Sequence, residues 1–147
     1  MPVNEHRFMK IECRMENLPS LLLFAAGQAK EAGFTGKALL QLELATEEIA
    51  TNIIKYAYPQ GSGGLELSCG TAGGGLFEMI FTDQGIPFNP LDRPEPDVGA
   101  GLDQRNPGGL GIFLTKRFMD QVNYRREGGR NILALSKRLA QGNANVD

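Results

Sequence analysis

The strongest periodic signal in this 147-residue sequence lies between Gly36 and Ala57, where Leu39, Leu42, Thr46, Ile49, Ile53 and Ala57 recur at three- and four-residue intervals. That spacing lines the apolar side chains along one stripe of a helix of about 20 residues, and a one-sided helix of this length needs a second layer against it. The remaining sequence provides one. Arg7 to Met15 alternates imperfectly as a strand, and Leu65–Cys69 and Leu76–Thr82 read as a hairpin bracketed by seven glycines between Gly61 and Gly75. Gln121–Arg126 and Asn131–Lys137 form a terminal strand pair turned through Gly128-Gly129. An earlier helix, capped by Asn17 or Ser20, runs through Leu22, Phe24, Ala25 and Ala29 to a stop at Gly33, and Leu110 to Met119 is helical in pattern. The order β, α, α, β, β, long loop, α, β, β predicts an α+β two-layer sandwich.

The long loop is the second organising feature. Five of the eight prolines fall between Gly85 and Gly108, in a stretch with few apolar residues. A connection of about 20 residues without an element of its own is the kind used as a lid or binding loop. No second composition regime follows, so one domain over residues 1–140 with a frayed tail at 141–147 is expected. The longest apolar run, Leu21 to Ala26, is far below the ~20 residues needed to span a bilayer. The first residues lack a signal-peptide pattern, so a cytoplasmic location is expected. Cys13 and Cys69 stand far apart with a single histidine, His6, which leaves zinc ligation and a disulfide framework without parts, and both thiols are expected to be reduced and buried. A net charge of -2 with no basic block argues against direct binding of nucleic acid.

Three short motifs carry candidate chemistry. On the long helix, Glu48, Asn52 and Lys55 fall at i, i+4 and i+7, a stripe beside Ile49 and Ile53. An amide oxygen suits Mg²⁺, and a carboxylate one turn away suits proton acceptance beside that ion. Glu47 lies about 100° round the helix and has Thr51 one turn on, so Glu48 is the preferred base. The same pattern also describes an ordinary solvated helix face. In Thr82-Asp83-Gln84-Gly85 an acidic residue ends a strand, placed to accept from an exocyclic amine of a base, with Gly85 permitting close backbone approach; as plain structure it is a turn. In Asn106-Pro107-Gly108-Gly109-Leu110-Gly111, glycines enter a helix whose first N–H groups suit phosphate, although neither GxxxxGK[ST] nor GxGxxG is completed.

In this order and spacing the chain resembles the GHKL nucleotide-binding superfamily and, within it, the bacterial anti-sigma regulatory factor/serine-protein kinase family. The stretch TEEIATNIIKYAY is similar to the family's N box, FTDQGIPFNP to its first glycine box, and GGLGIFLTKRFMD to its second, across about residues 8–138. The resemblance implies a Bergerat-type ATP-binding fold, a mixed, mostly antiparallel sheet with helices on one face. It makes Glu48 the catalytic base, Asn52 the magnesium ligand and Asp83 the adenine contact. Lys55 and the backbone of Gly108, Gly109 and Gly111 would hold phosphates, Gly85 would line the adenine, and residues 88–107 would form the ATP lid. Within that loop, the Arg105 guanidinium suits bidentate contact with the γ-phosphate on closure, although loop arginines are common. Two departures stand out. Pro87 replaces a frequent glycine, and the threonine that commonly supports the adenine-binding Asp falls at Ala134, implying a weakened adenine subsite.

The implied function is an ATP- and Mg²⁺-dependent anti-sigma factor that phosphorylates a small anti-anti-sigma protein of the STAS type in a partner-switching circuit, and that forms a homodimer. The alternative is a non-catalytic module that binds ATP and acts by sequestration. A histidine-kinase identity is disfavoured, because His6 is the only histidine and no dimerisation helix pair precedes the domain. The basic residues Lys116, Arg117, Arg125, Arg126, Arg130, Lys137 and Arg138 read either as a surface for an acidic partner or as a solvated face.

Overall fold

A computed structural model describes residues 6–92 and 107–139, with side chains in the second stretch from Gly111 onward. Three helices, α1 (Leu18–Ala32), α2 (Gly36–Tyr56) and α3 (Pro107–Phe118), accompany five strands: β1 (Arg7–Glu12), β2 (Gly64–Ala72), β3 (Leu76–Asp83), β4 (Gln121–Glu127) and β5 (Arg130–Arg138). The sheet order is β1-β2-β3-β5-β4, and every neighbouring pair is antiparallel. The element order is the one expected, but a mixed sheet is not found among the described residues. The chain leaves β3, passes through α3 to the edge strand β4, and returns as β5 into the place beside β3. Most of the expected lid, Arg105 and the tail at 141–147 lie outside the described residues.

Periodicity explains the core. Along β3 burial alternates strictly, so Phe77, Met79, Phe81 and Asp83 form one inward row. Leu65, Leu67 and Cys69 do the same on β2, and Asn131, Leu133 and Leu135 on β5. These strand rows share one hydrophobic cluster with Leu21 of α1 and with Leu42, Ile49 and Ile53 of α2, all 2% exposed or less. Two inward rows thus end in a polar residue, Asp83 and Asn131, and these face each other in register. Helix α1 stops at Gly33, whose φ of 115° is left-handed and unfavourable for other residues. The β4–β5 turn uses Gly128 and Gly129 at φ 59° and 76°, the primed turn that a two-residue hairpin favours. Both cysteines are free and buried, and burial pushes each thiol up to about 12, so neither is a reactive thiolate near neutral pH.

Two junctions fix what lies around the end of α2. Tyr58 donates its hydroxyl proton to the Gly64 carbonyl (2.7 Å) and accepts from the Gln84 N–H (2.8 Å), so one side chain joins the chain after α2 to β2 and to the turn after β3. That turn also docks on the helix end, where the Ile86 N–H donates to the Ala57 carbonyl at 2.9 Å. Gly85 is pressed so closely on Ala57 that a Cβ would overlap the Ala57 carbonyl. At the other end of the site, Lys137 donates to the Phe118 carbonyl (2.7 Å), placing a cation at the C-terminus of α3 where the helix dipole favours it.

The two glycines Gly85 and Gly27 separate packing from propensity. Gly85→Ala must push the Asp83 turn off α2 and costs about 2 kcal/mol, in the range for overpacked sites. Gly27, within α1 and with nothing inside 4 Å of a Cβ, gains about 0.5–1 kcal/mol on substitution by alanine. Urea unfolding of both variants checks the opposite signs.

Candidate functional site

The site begins with a carboxylate in a core position. Asp83 is 2% exposed, and an acid buried this far requires hydrogen-bond partners. Its Oδ1 accepts from the Gly85 N–H and from Asn131 Nδ2, both at 2.8 Å. The first bond makes Asp-x-Gly a turn held by its own aspartate. The second comes from the strand directly opposite. Burial pushes the Asp83 carboxyl above its ordinary range, and the bonds from Asn131 and Gly85 and the charge of Arg126 pull it part of the way back. No hydrogen bond to the other oxygen, Oδ2, is found among the described residues, which leaves an acceptor in a low-dielectric setting.

Asn131 is the residue that sequence reasoning missed. Ala134, expected at the position supporting Asp83, instead pairs with Ile80 three residues along β3, on the opposite face of the sheet. The β3–β5 register puts Asn131 across from Asp83, so the support is an amide from Asn131 and does not come from position 134. Asn131 Nδ2 also donates to the Ile86 carbonyl (2.8 Å), while its Oδ1 accepts from the Phe88 N–H (3.1 Å), from the Tyr124 hydroxyl and from Arg126 (3.2 Å). Arg126 completes the ring through a 2.8 Å bond to the Gly85 carbonyl. One signal was available: in Asn131, Leu133, Leu135 the alternation points Asn131 inward.

The second part lies on α2. Asn52 is 3% exposed, and its Nδ2 donates to Glu48 Oε2 at 3.3 Å. The amide oxygen has no hydrogen bond among the described residues, a buried orphan carbonyl of the kind that suits a hard cation. No group of three acidic, histidine or cysteine side chains is arranged for a metal among the described residues. The donor set therefore fits an ion held mainly by phosphate and water oxygens with one protein oxygen, which is how Mg²⁺ is usually bound. Glu48 is half-buried, Glu47 is exposed, and Lys55 in the last turn of α2 is exposed with no ion pair among the described residues.

The glycines before α3 divide. The helix begins at Pro107, three residues earlier than its apolar pattern suggests, so Gly108 and Gly109 are its second and third residues. Their N–H groups precede the intrahelical ladder, as the first donors of a helix do. Gly111, the fifth residue, lies within the ladder, and its missing side chain has a different use: a Cβ there would overlap the Glu48 carboxylate. It brings α3 against α2. Arg105 lies outside the described residues.

Asn52 and Ala57 are five residues apart on one helix, about 8 Å along its axis, and Gly85 abuts Ala57. The amide and the Asp83 turn are thus separated by less than the length of a nucleoside triphosphate. Asp83 and Glu48 each line a cavity, of about 350 and 240 Å³.

Comparison with known proteins decides the family. The model of the histidine kinase-like ATPase domain matches residues 11–137. The chain belongs to the histidine kinase-like ATPase family. Serine-protein kinase RsbW of Bacillus subtilis is 30% identical over 140 residues, spanning 89% of this chain and 84% of the relative. The RsbW of Bacillus velezensis is 31% identical over 137 residues with the same coverage. Among solved structures, the RsbU and RsbW domains of a Mycobacterium tuberculosis protein match with a TM-score of 0.66 at 12% identity, over 93% of this chain and a third (33%) of that one. A blue-light activated histidine kinase domain from Erythrobacter litoralis matches with a TM-score of 0.55 at 19% identity, over 86% of this chain and 63% of that one. These two likenesses bear on the fold, which is that of the histidine kinase-like ATPases, and ATP is the nucleotide such a domain uses. No helix among the described residues is long and apolar enough to cross a membrane.

Asn131→Ala strands the partners that Asn131 now satisfies and costs about 2 kcal/mol. It also removes a bond that holds the Asp83 carboxyl down, so that pKa rises further. A folded-state pKa above the unfolded value gives stability that is complete below the ordinary carboxylate range and lost as pH rises through the folded value. The loss therefore begins in the same ordinary carboxylate range in both proteins, continues to higher pH and grows larger in Asn131→Ala, and is absent in Asp83→Asn, which urea unfolding across pH measures.

Proposed function

We propose that this protein is an ATP-dependent anti-sigma factor of the cytoplasm that phosphorylates a serine of a small STAS-type antagonist protein, and that the antagonist in its unphosphorylated form releases the sigma factor. The observation that carries the reading is the pair Glu48 and Asn52, a proton acceptor and a buried orphan amide oxygen one turn apart on a helix whose end is docked to the Asp83 turn. The likeness to RsbW proteins named as serine-protein kinases supports the same reaction.

Each residue has a part in it. Asp83 accepts a hydrogen bond from the exocyclic amine of adenine through Oδ2, with Asn131 and Gly85 fixing the carboxylate, and the backbone of Gly85 lines the base. The first N–H groups of α3, at Gly108 and Gly109, and the ammonium of Lys55 hold phosphate oxygens. Asn52 would hold Mg²⁺ through its carbonyl. When bound, that ion neutralises charge on the transferred group. Glu48 takes the proton of the serine hydroxyl as the serine oxygen bonds to the γ-phosphorus. The bond from that phosphorus to the bridging oxygen breaks, and ADP leaves with the electron pair. A second copy of this chain completes the assembly as a homodimer.

The test is transfer of γ-labelled phosphate from Mg-ATP to purified STAS-type proteins of the source organism. The expected result is label on one serine of one such protein, with Glu48→Gln keeping the rise in melting midpoint that ATP produces while lowering transfer by 100-fold or more, the loss typical for a general base. If wild type binds ATP and labels none of these proteins, the kinase reading fails and sequestration without turnover stands in its place.

A further inference from the structure

The cavity beside Glu48 has a regular construction. From α2 it is lined by Leu44, Glu47, Glu48 and Thr51, and from α3 by Gly111, Leu114, Thr115 and Phe118. Each set follows the spacing i, i+3, i+4, i+7, so two helix faces look at each other across a groove, which runs about 10 Å along α2. Its walls are unlike. Leu114 and Phe118 are half-buried and Leu44 is 44% exposed, an apolar wall reaching solvent, while the exposed Glu47 stands on the rim beside Glu48. Glu47 gives that rim an exposed acidic side chain. The basic residues of α3, Lys116 and Arg117, do not line it, and Arg117 lies over the Phe113 ring instead.

Nothing in the fold needs this groove. Leu44 is an exposed leucine on a helix whose neighbours Leu42 and Ala45 already serve the core. A close-packed pair of helices would have filled the space, yet Gly111 draws α3 in at Glu48 and leaves the gap on either side of it. The reaction explains the position. A hydroxyl that gives its proton to Glu48 must come within hydrogen-bond distance of that carboxylate, and Glu48 is one of the residues that line the groove.

We propose that the groove between α2 and α3 seats the phosphoacceptor segment of the antagonist protein, with an apolar side chain next to the serine lying against Leu44, Leu114 and Phe118 and a basic one facing Glu47. The proposal rests on the kinase reading and adds the surface that selects the substrate. The charge of the rim chooses a basic segment, and the apolar wall supplies contact area that a rim charge alone does not.

Leu44→Ser and Glu47→Lys test it, since both residues are exposed and lie outside the nucleotide machinery. With the STAS-type protein that wild type labels, each is expected to raise KM for that protein about tenfold, with kcat within twofold and the ATP-induced rise in melting midpoint unchanged. Glu47→Lys should also reverse the weakening of KM by salt. Unchanged KM in both variants overturns the groove while leaving the kinase reading intact, and so does loss of sigma-factor binding with KM unaltered. Where wild type labels no protein, the same variants are compared for binding of the unphosphorylated STAS-type proteins by calorimetry. A tenfold weaker Kd upholds the groove as a docking surface without the chemistry, and an unchanged Kd or no binding by wild type overturns it.

Discussion

A carboxylate that ends an inward-facing row of aromatic and aliphatic side chains cannot be left alone, and the polar end of this molecule is organised around that need. Asp83 follows Phe77, Met79 and Phe81 on the same face of β3 and is met from β5 by Asn131. Each partner of that amide recruits another part of the chain: Phe88 and Ile86 from the segment after β3, Tyr124 and Arg126 from β4. An amide does this where a hydroxyl would not, because it offers two donors and two acceptor positions and here uses them on five groups. One pairing across the sheet therefore fixes the Asp-Gln-Gly turn, the start of the long loop and the orientation of the acid together.

Helix α2 links that turn to the reactive end of the site. Its apolar stripe is buried against the sheet, so Asn52 and Glu48, on a neighbouring stripe, are held at the margin of the core rather than in it or away from it. Two glycines act at its flanks by absence of volume: Gly85 lets the turn lie on Ala57, and Gly111 lets α3 lie on Glu48. Positions that read in sequence as room for a ligand are contacts of backbone against backbone or carboxylate. Their value is distance.

The features legible in sequence were those set by local periodicity. The α2 stripe, the alternation in β3, the Gly33 stop and the Gly128-Gly129 turn all follow from short-range spacing, and all are found. What escaped depends on register between segments far apart. The partner of Asp83 lies 48 residues away, and the motif resemblance points to Ala134, whose side chain is on the opposite face. The start of α3 was set too late because its first turn carries glycines, although Pro107 at the first helical position is a favoured beginning. Arg126 and Lys137 looked like free surface charge; each is tied to a main-chain carbonyl, at Gly85 and Phe118. Composition does not distinguish a solvated cation from one that closes a turn or a helix end.

The chain has three tyrosines and no tryptophan. Tyr56 packs its ring 5.8 Å from that of Phe88, Tyr58 receives the N–H of Gln84, and Tyr124 donates to Asn131. Every tyrosine thus touches the segment from Gln84 to Phe88 or the amide that braces it, and the rest of the molecule is dark to ultraviolet emission at those wavelengths. The protein carries an intrinsic optical reporter confined to one corner, so its native fluorescence is a local signal of the Asp83 turn rather than an average over the fold.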